Sequence, residues 1–311
     1  MKFSIFQESR LGGRKSNQDR TGYVYSRNAL LMLVADGMGG HLHGEIAAQI
    51  AVEFIASQFR DKATPRLTNP AKFLSDSITA AHHAIFEYAE KRTLLETPRT
   101  TLVAALVQDG DVWWAHVGDS RFYWLRGEQV VAQTIDHSRV AQLVKAGTIR
   151  EEDVARHPDR NRVFNCLGAH VLPTVEVSKK NRLQHGDQLV LCTDGLWGPL
   201  NSKVIAQAFV GESILTAVPR LMQVAQQRAG ADADNISAVA MKWDETDADS
   251  QAEQAGLIDT HVTTSFGDRQ HSTRIDPMNV TGRMSALSED EIEKAIREIR
   301  TAIAKTTRNE H

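Results

Sequence analysis

In the stretch Leu31-Met-Leu-Val-Ala-Asp36-Gly-Met-Gly-Gly40 an unbroken apolar run stops at a carboxylate set among glycines. The run reads as a buried strand with Asp36 at its mouth. Glycines at 37, 39 and 40 permit an unusual backbone path, so that a main-chain carbonyl beside Asp36 can turn toward the same point as the carboxylate. One carboxylate and one carbonyl make an oxygen site for a hard cation. The pattern recurs at Asp119, in Val117-Gly-Asp-Ser-Arg121 after the apolar strand Val112-Trp-Trp-Ala115, and at Asp194, in Thr193-Asp-Gly195 after Gln188-Leu-Val-Leu191. Asp234 precedes the strand Ile236-Ser-Ala-Val-Ala-Met241, and Asp19 lies in a polar loop before Thr21-Gly-Tyr-Val-Tyr25. Any one of these alone reads as ordinary turn chemistry. Five carboxylates converging above a sheet would repel and raise one another's pKa unless cations compensate, which implies bound metal. Oxygen-only donors favour magnesium or manganese.

The ordered set Arg14-Lys-Ser-Asn-Gln-Asp19, Val34-Ala-Asp-Gly-Met-Gly-Gly40, Thr100-Thr-Leu102, Val117-Gly-Asp-Ser-Arg121, Asp136-His-Ser138, Thr193-Asp-Gly195 and Asp234-Asn-Ile-Ser237 closely resembles the bacterial branch of the metal-dependent, type-2C (PPM) protein phosphatases, from about Phe3 to about Trp243. Each motif is weak alone; seven in this order and spacing are specific. The resemblance implies that Asp36 bridges two metal ions, that the Gly37 carbonyl binds one of them, and that Asp194 and Asp234 hold the other. It implies that Asp19 binds largely through water and that Asp119, with Asp194, completes a third, weaker site. Arg14 matches the family's phosphate-binding arginine, and its planar fork suits bidentate phosphate contact.

The activity so implied is hydrolysis of phosphoserine and phosphothreonine on proteins by a metal-activated water at two or three Mg2+ or Mn2+ ions. Phosphoprotein substrates, and a serine/threonine kinase as a partner, come with the same resemblance. Two cations roughly 3.5 to 4 Å apart suit the task, because an unaided phosphate monoester hydrolyses extremely slowly. Eukaryotic relatives carry a histidine two positions after the bridging aspartate, where this chain has Met38. His41 and His43 are the nearby candidates for protonating a leaving alkoxide, and His41 is preferred. His137 reads as ordering a loop rather than binding metal, and Arg121 as helping to order Asp119. One rival reading is a noncatalytic pseudophosphatase that binds a kinase or phosphoprotein, although no metal ligand is missing. A second is a hydrolase of another phosphate ester, or of phosphorylated anti-sigma antagonist proteins.

The elements that would position these residues follow from composition and period. The chain has 311 residues, 41% hydrophobic and 24% charged, with a net charge of −3, which suits a substantial core and gives no reason to invoke nucleic acid or an anionic membrane surface. No apolar run reaches the eighteen or so residues of a membrane span, and Met1-Lys-Phe-Ser-Ile-Phe-Gln-Glu8 lacks the long apolar segment of a signal peptide. With Cys166 and Cys192 alone, a reduced, cytoplasmic chain is the simplest expectation. Strands are expected near 2–9, 21–26, 29–35, 100–108, 111–117, 121–125, 129–133, 174–178, 187–192 and 235–243. Helices are expected at 44–59, after 70, at 201–209 and at 219–228. Consecutive Trp113 and Trp114 should face opposite ways.

Strand pairs alternating with helix pairs point to an α+β fold, a sandwich of two antiparallel sheets with helices on both outer faces. The catalytic domain is expected at 1–243, with a flap at about 137–165. An acidic, weakly periodic stretch at 244–287 reads as a flexible linker. Ser288-Glu-Asp-Glu291 then opens an amphipathic helix over 288–307, suited to docking on its own domain, a partner or a second copy.

Overall fold

The computed structural model describes residues 1–38, 43–63, 66–150, 153–154, 157–160 and 162–244, with two further strands at 261–265 and 271–274. One sheet has the order β13 (His271–Arg274), β1 (Phe3–Arg10), β11 (Ile236–Trp243), β10 (Gln188–Cys192), β6 (Arg121–Arg126), β7 (Gln129–Gln133). The other runs β12 (His261–Ser265), β2 (Asp19–Tyr25), β3 (Ala29–Asp36), β4 (Leu102–Gln108), β5 (Asp111–Val117), β8 (Glu176–Val177), with β9 (Asn181–Arg182) also on β5. Every pairing within them is antiparallel.

Side-chain alternation explains the apolar run of β3. Leu30, Met32 and Val34 enter the core between the sheets, where Ile5, Phe122, Leu191 and Val239 of the opposite sheet meet them. Leu31, Leu33 and Ala35 face the other way, against Ala51 and Ile55 of α1 (Gly44–Lys62) and Ile78 of α2 (Pro70–Lys91). On the far side, Val190, Ala238 and Ala240 pack under α5 (Ser202–Ala208) and α6 (Ile214–Ala229). A strand covered on both faces has no polar face to show. The arrangement is thus helix, sheet, sheet, helix, as the strand and helix pairs imply. Trp113 joins the helix-side core, while Trp114 stacks on Phe122 between the sheets, ring centroids 4.6 Å apart. Between β7 and β8 lie α3 (Arg139–Lys145) and the loops of the expected flap.

Several elements depart from the expected boundaries. α6 starts at Ile214 rather than Pro219, because Ser213 caps its first turn and Ile214, Val218, Leu221, Met222 and Ala225 are buried. That apolar stripe outweighs the backbone bond lost at Pro219. Asp194 does not merely end a strand; it begins a short helix, α4 (Asp194–Trp197). Two strands also lie in the stretch expected to be linker: β12 pairs with β2, and β13 with β1. Each adds to a sheet edge, where an unpaired row of N–H and C=O groups is a template for any extended segment. The rest of that stretch, and the expected helix at 288–307, lie outside the described residues. Among the described residues no helix is long and apolar enough to cross a membrane.

Leu191 is wholly buried between the sheets, one residue pair before the β10 terminus that carries Asp194. Leu191→Ala should cost about 2–5 kcal/mol of unfolding free energy in urea titration, through lost transfer energy and the cavity left behind.

Candidate metal centre

Register brings the first two carboxylates together. β2 and β3 pair so that Asp19 is the direct partner of Asp36, which places the two side chains on one face. The Asp36 backbone is pinned by the residues leading into β4: Thr101 N–H donates to its carbonyl (2.9 Å), as does the Thr100 hydroxyl (2.9 Å), and its own N–H donates to Thr101 Oγ1 (3.2 Å). Thr101 Oγ1 also lies 2.7 Å from the Ser120 hydroxyl, which ties this strand end to the turn carrying Asp119.

Asp119 sits in the connection that crosses from β5 to β6. Trp197 Nε1–H donates to its carbonyl (2.9 Å). The indole in turn lies under the Arg121 guanidinium, 3.6 Å from ring centroid to Cζ, and Arg121 is clamped to Asp136 by two 2.8 Å hydrogen bonds. Arg121 therefore does order Asp119, through Trp197.

The second sheet supplies the rest. Thr193, just before Asp194, donates its hydroxyl proton to Asp19 Oδ2 (2.9 Å) and accepts from Ser237 N–H (3.0 Å), linking both sheets. Two glycines let the backbones close in. A Cβ on Gly195 would lie 2.0 Å from the Asn235 carbonyl, and one on Gly12, at φ +65°, 2.1 Å from the Asp234 carbonyl. Asn235 then fastens the loop that carries Arg14, accepting from Gln18 N–H (2.8 Å) and donating to the carbonyls of Leu11 (2.9 Å) and Ser16 (3.0 Å). Arg14 itself donates to Asp234 Oδ2 (2.6 Å).

Asp36, Gly37, Asp119, Asp194 and Asp234 line one cavity of about 880 Å³ together with Arg14. Asp19 lies behind them, 2% exposed, with its Oδ1 buried and without a hydrogen-bond partner among the described residues. Burial, and secondarily the neighbouring carboxylates, push Asp36 and Asp194 well above the ordinary aspartate range. Burial raises Asp119 to about 7, reinforced by Asp136, and Asp19 to about 6. Arg14 moves up, held by its hydrogen bond to Asp234. Like charges at this density favour protons or hard cations, and an all-oxygen donor set with an orphaned carboxylate oxygen fits magnesium or manganese.

His41 lies outside the described residues. His43 is a half-exposed residue in the left-handed region (φ 68°) before α1, 3.9 Å from Glu45, and is not part of the cavity wall. His137 has a different position. Its Nδ1 accepts from Gly118 N–H (3.1 Å) and lies 2.7 Å from Asn165 Nδ2, whose amide orientation is set by paired bonds to Thr174. In the neutral ring the proton therefore sits on Nε2, which faces Glu176 at 3.3 Å. His116, His137 and Glu176 come within 4.8 Å of one another, but that tautomer leaves His137 a donor there rather than a ligand. Its backbone N–H also donates to Gly118 carbonyl (2.9 Å), so His137 holds the flap base to the Asp119 turn.

Sequence reasoning passed over Trp197, Arg99 and Cys166, the last two in the cavity wall. Trp197, three residues after Asp194 and on one helical turn with it, was the findable one.

A family model described as Protein phosphatase 2C matches residues 7–239 of this chain. The chain is 33% identical over 278 residues to the serine/threonine protein phosphatase PstP of Mycobacterium tuberculosis, a match covering 89% of this chain and 50% of that protein. It thus spans about half the length of that curated relative. Among solved structures, the S. agalactiae serine/threonine phosphatase superposes with a TM-score of 0.70 at 29% identity, covering 78% of this chain and all of the other. The catalytic domain of PstP in complex with two manganese ions superposes with a TM-score of 0.65 at 29% identity, covering 78% of this chain and 100% of that one.

Stability should follow the raised carboxylates. A folded pKa above the unfolded value contributes stability present below about pH 4 and lost as pH rises through about 6 to 7. Metal-free protein should therefore melt lower at about pH 8 than at about pH 5. Added Mn2+ should raise the melting temperature more at the higher pH, where fewer protons compete; thermal unfolding with chelator and with Mn2+ at both values checks this.

Proposed function

Because the chain belongs to the protein phosphatase 2C family, we propose that it hydrolyses phosphoserine and phosphothreonine on proteins, with two Mg2+ or Mn2+ ions and a third, weaker one. The observation that carries this reading is one cavity walled by Asp36, Gly37, Asp119, Asp194 and Asp234 together with Arg14. Asp36 would bridge two ions, with the Gly37 carbonyl on one of them and Asp194 and Asp234 on the other. Asp19, behind them, would act largely through water, and Asp119 with Asp194 would hold the third. When bound, such ions lower the pKa of coordinated water and neutralise charge on the phosphoryl oxygens.

The chain's own residues have the remaining tasks. Arg14 turns its fork between Asp234 and the substrate phosphate, and the Asn235 hydrogen bonds hold its loop in place. Thr193 and Ser120 fix the strand ends that carry the carboxylates, and Arg121 with Trp197 fixes the Asp119 turn. His41 is the proposed donor of a proton to the leaving alkoxide, on chemical grounds. A serine/threonine kinase or its targets are the proposed substrates, and the helix expected at 288–307 a proposed docking element. The binding-only alternative is disfavoured because every carboxylate of the set is present.

Phosphate release from a phosphothreonine peptide should require Mn2+ and fall to background with chelator, and with Asp36→Asn or Asp194→Asn. No turnover by protein that binds Mn2+ would instead favour the binding-only reading. Arg14→Ala should raise KM by roughly 10- to 100-fold, the worth of a charge-assisted contact, while Mn2+ affinity measured by calorimetry holds or improves, since Asp234 loses its competing partner.

A further inference from the structure

The cavity that gathers the aspartates is also lined by the exposed Arg162 and by the half-buried Arg99, neither of which the chemistry above uses. Arg99 immediately precedes Thr100 and Thr101 at the entry to β4. Its carbonyl accepts from Met38 N–H (3.0 Å), and Thr100 forms a bridge with Gly37, so Arg99 stands alongside the turn that follows Asp36. Arg14 comes from the other sheet, in the loop after β1. Both side chains line the same cavity.

Two other arginines near this end meet carboxylates: Arg121 is bonded twice to Asp136, and Arg14 to Asp234. Arg99 is different: its Nε is buried without a hydrogen-bond partner among the described residues, and no carboxylate among them pairs with its guanidinium. Its neighbour Cys166 does not serve as a counter-anion, because burial raises the thiol pKa and keeps it neutral, against the opposing pull of Arg99. Withdrawing a guanidinium N–H from water without a partner is unfavourable. Such a residue is stable in a cavity wall when an anion enters the cavity, and a phosphoryl group has oxygens enough for two arginine forks.

We propose that Arg99 is a second phosphate-binding residue, gripping the substrate's phosphoryl group from the sheet opposite the one that delivers Arg14. This rests on the phosphatase reading. Arg14 divides its hydrogen bonding between Asp234 and substrate, whereas Arg99 has no competing carboxylate among the described residues. Of these two arginines, Arg99 is thus the one whose hydrogen bonding changes more when phosphate arrives.

The test uses the full chain loaded with Mn2+, titrated with inorganic phosphate by calorimetry and assayed on a phosphothreonine peptide, as wild type, Arg99→Met and Arg99→Lys. Phosphate affinity should fall roughly 10- to 100-fold in Arg99→Met, with partial recovery in Arg99→Lys, and KM should rise with it. Mn2+ affinity should stay within about twofold, and the melting temperature without phosphate should hold or rise, because an uncompensated buried donor is gone. A purely structural arginine would do the reverse: lower melting temperature with unchanged phosphate affinity. Phosphate affinity of Arg99→Met within about twofold of wild type overturns the assignment while wild-type turnover leaves the phosphatase reading standing. If Arg99→Met does not fold, Arg99→Lys decides: affinity equal to wild type overturns it, since an ammonium cannot reproduce a bidentate fork. A wild-type protein that binds Mn2+ but neither binds phosphate nor releases it overturns both.

Discussion

Asp19 and Asp36 face one another across an antiparallel strand pair, and like charges directly opposite are unfavourable. Arg20 draws the Asp19 carboxyl down and Arg14 bonds Asp234, but neither offsets the effect of burial. The surroundings add Asp119, Asp194 and Asp234, and burial lifts the pKa values of Asp19, Asp36, Asp119 and Asp194. Most of the contacts at the cluster are neutral scaffolding: the Thr193 hydroxyl on Asp19, the Thr100 and Thr101 contacts at Asp36, and the Trp197 indole at the Asp119 carbonyl. A cluster built this way is strained electrostatically without cations, a cost in stability of the kind functional sites carry.

The sandwich makes that cluster possible because its inter-sheet crossings meet at one end. β2 and β3 bring Asp19 and Asp36 there from one sheet, and β10 and β11 bring Asp194 and Asp234 from the other. The β5–β6 connection, which changes sheet, carries Asp119; the β1–β2 connection, which also changes sheet, carries Arg14. Ligands from two rigid sheets can then converge without a long loop, and the hydrogen bond from Thr193 to Asp19 locks the two sheets at that point. The core between the sheets sets their separation, so packing at Met32, Phe122 and Leu191 is felt at the carboxylates.

Arginines divide by what meets them. Arg121 and Arg126 are paired bidentately with Asp136 and Asp187 and act as structure. Arg14 is shared between a carboxylate of the cluster and the cavity, and Arg99 faces the cavity with its Nε unmatched. The same residue type serves both roles because a guanidinium never loses its charge; position alone determines which anion answers it.

Much of this was legible in the chain itself. The apolar run at Leu31–Ala35 marks a strand covered on both faces, the helical stripe after Gly44 marks its cover, and the spacing of aspartates against glycines marks strand ends where carboxylates could gather. Those features are local: periodicity and turn chemistry depend on residues a few positions apart. The pairing of Asp19 with Asp36 belongs to register, and the closeness of Asp194 to Asp234 to the antiparallel pairing of β10 with β11 across forty residues of sequence. The early start of α6, with Pro219 tolerated by a buried stripe, and the added edge strands β12 and β13 depend on surfaces the rest of the fold provides. So does the isolation of Arg99, since nothing in Thr97-Pro-Arg-Thr100 says whether a carboxylate will be near. Sequence by itself determined which residues could do the chemistry and on which elements they ride; only tertiary structure decided which of their charges are met, because compensation is a property of neighbours in space.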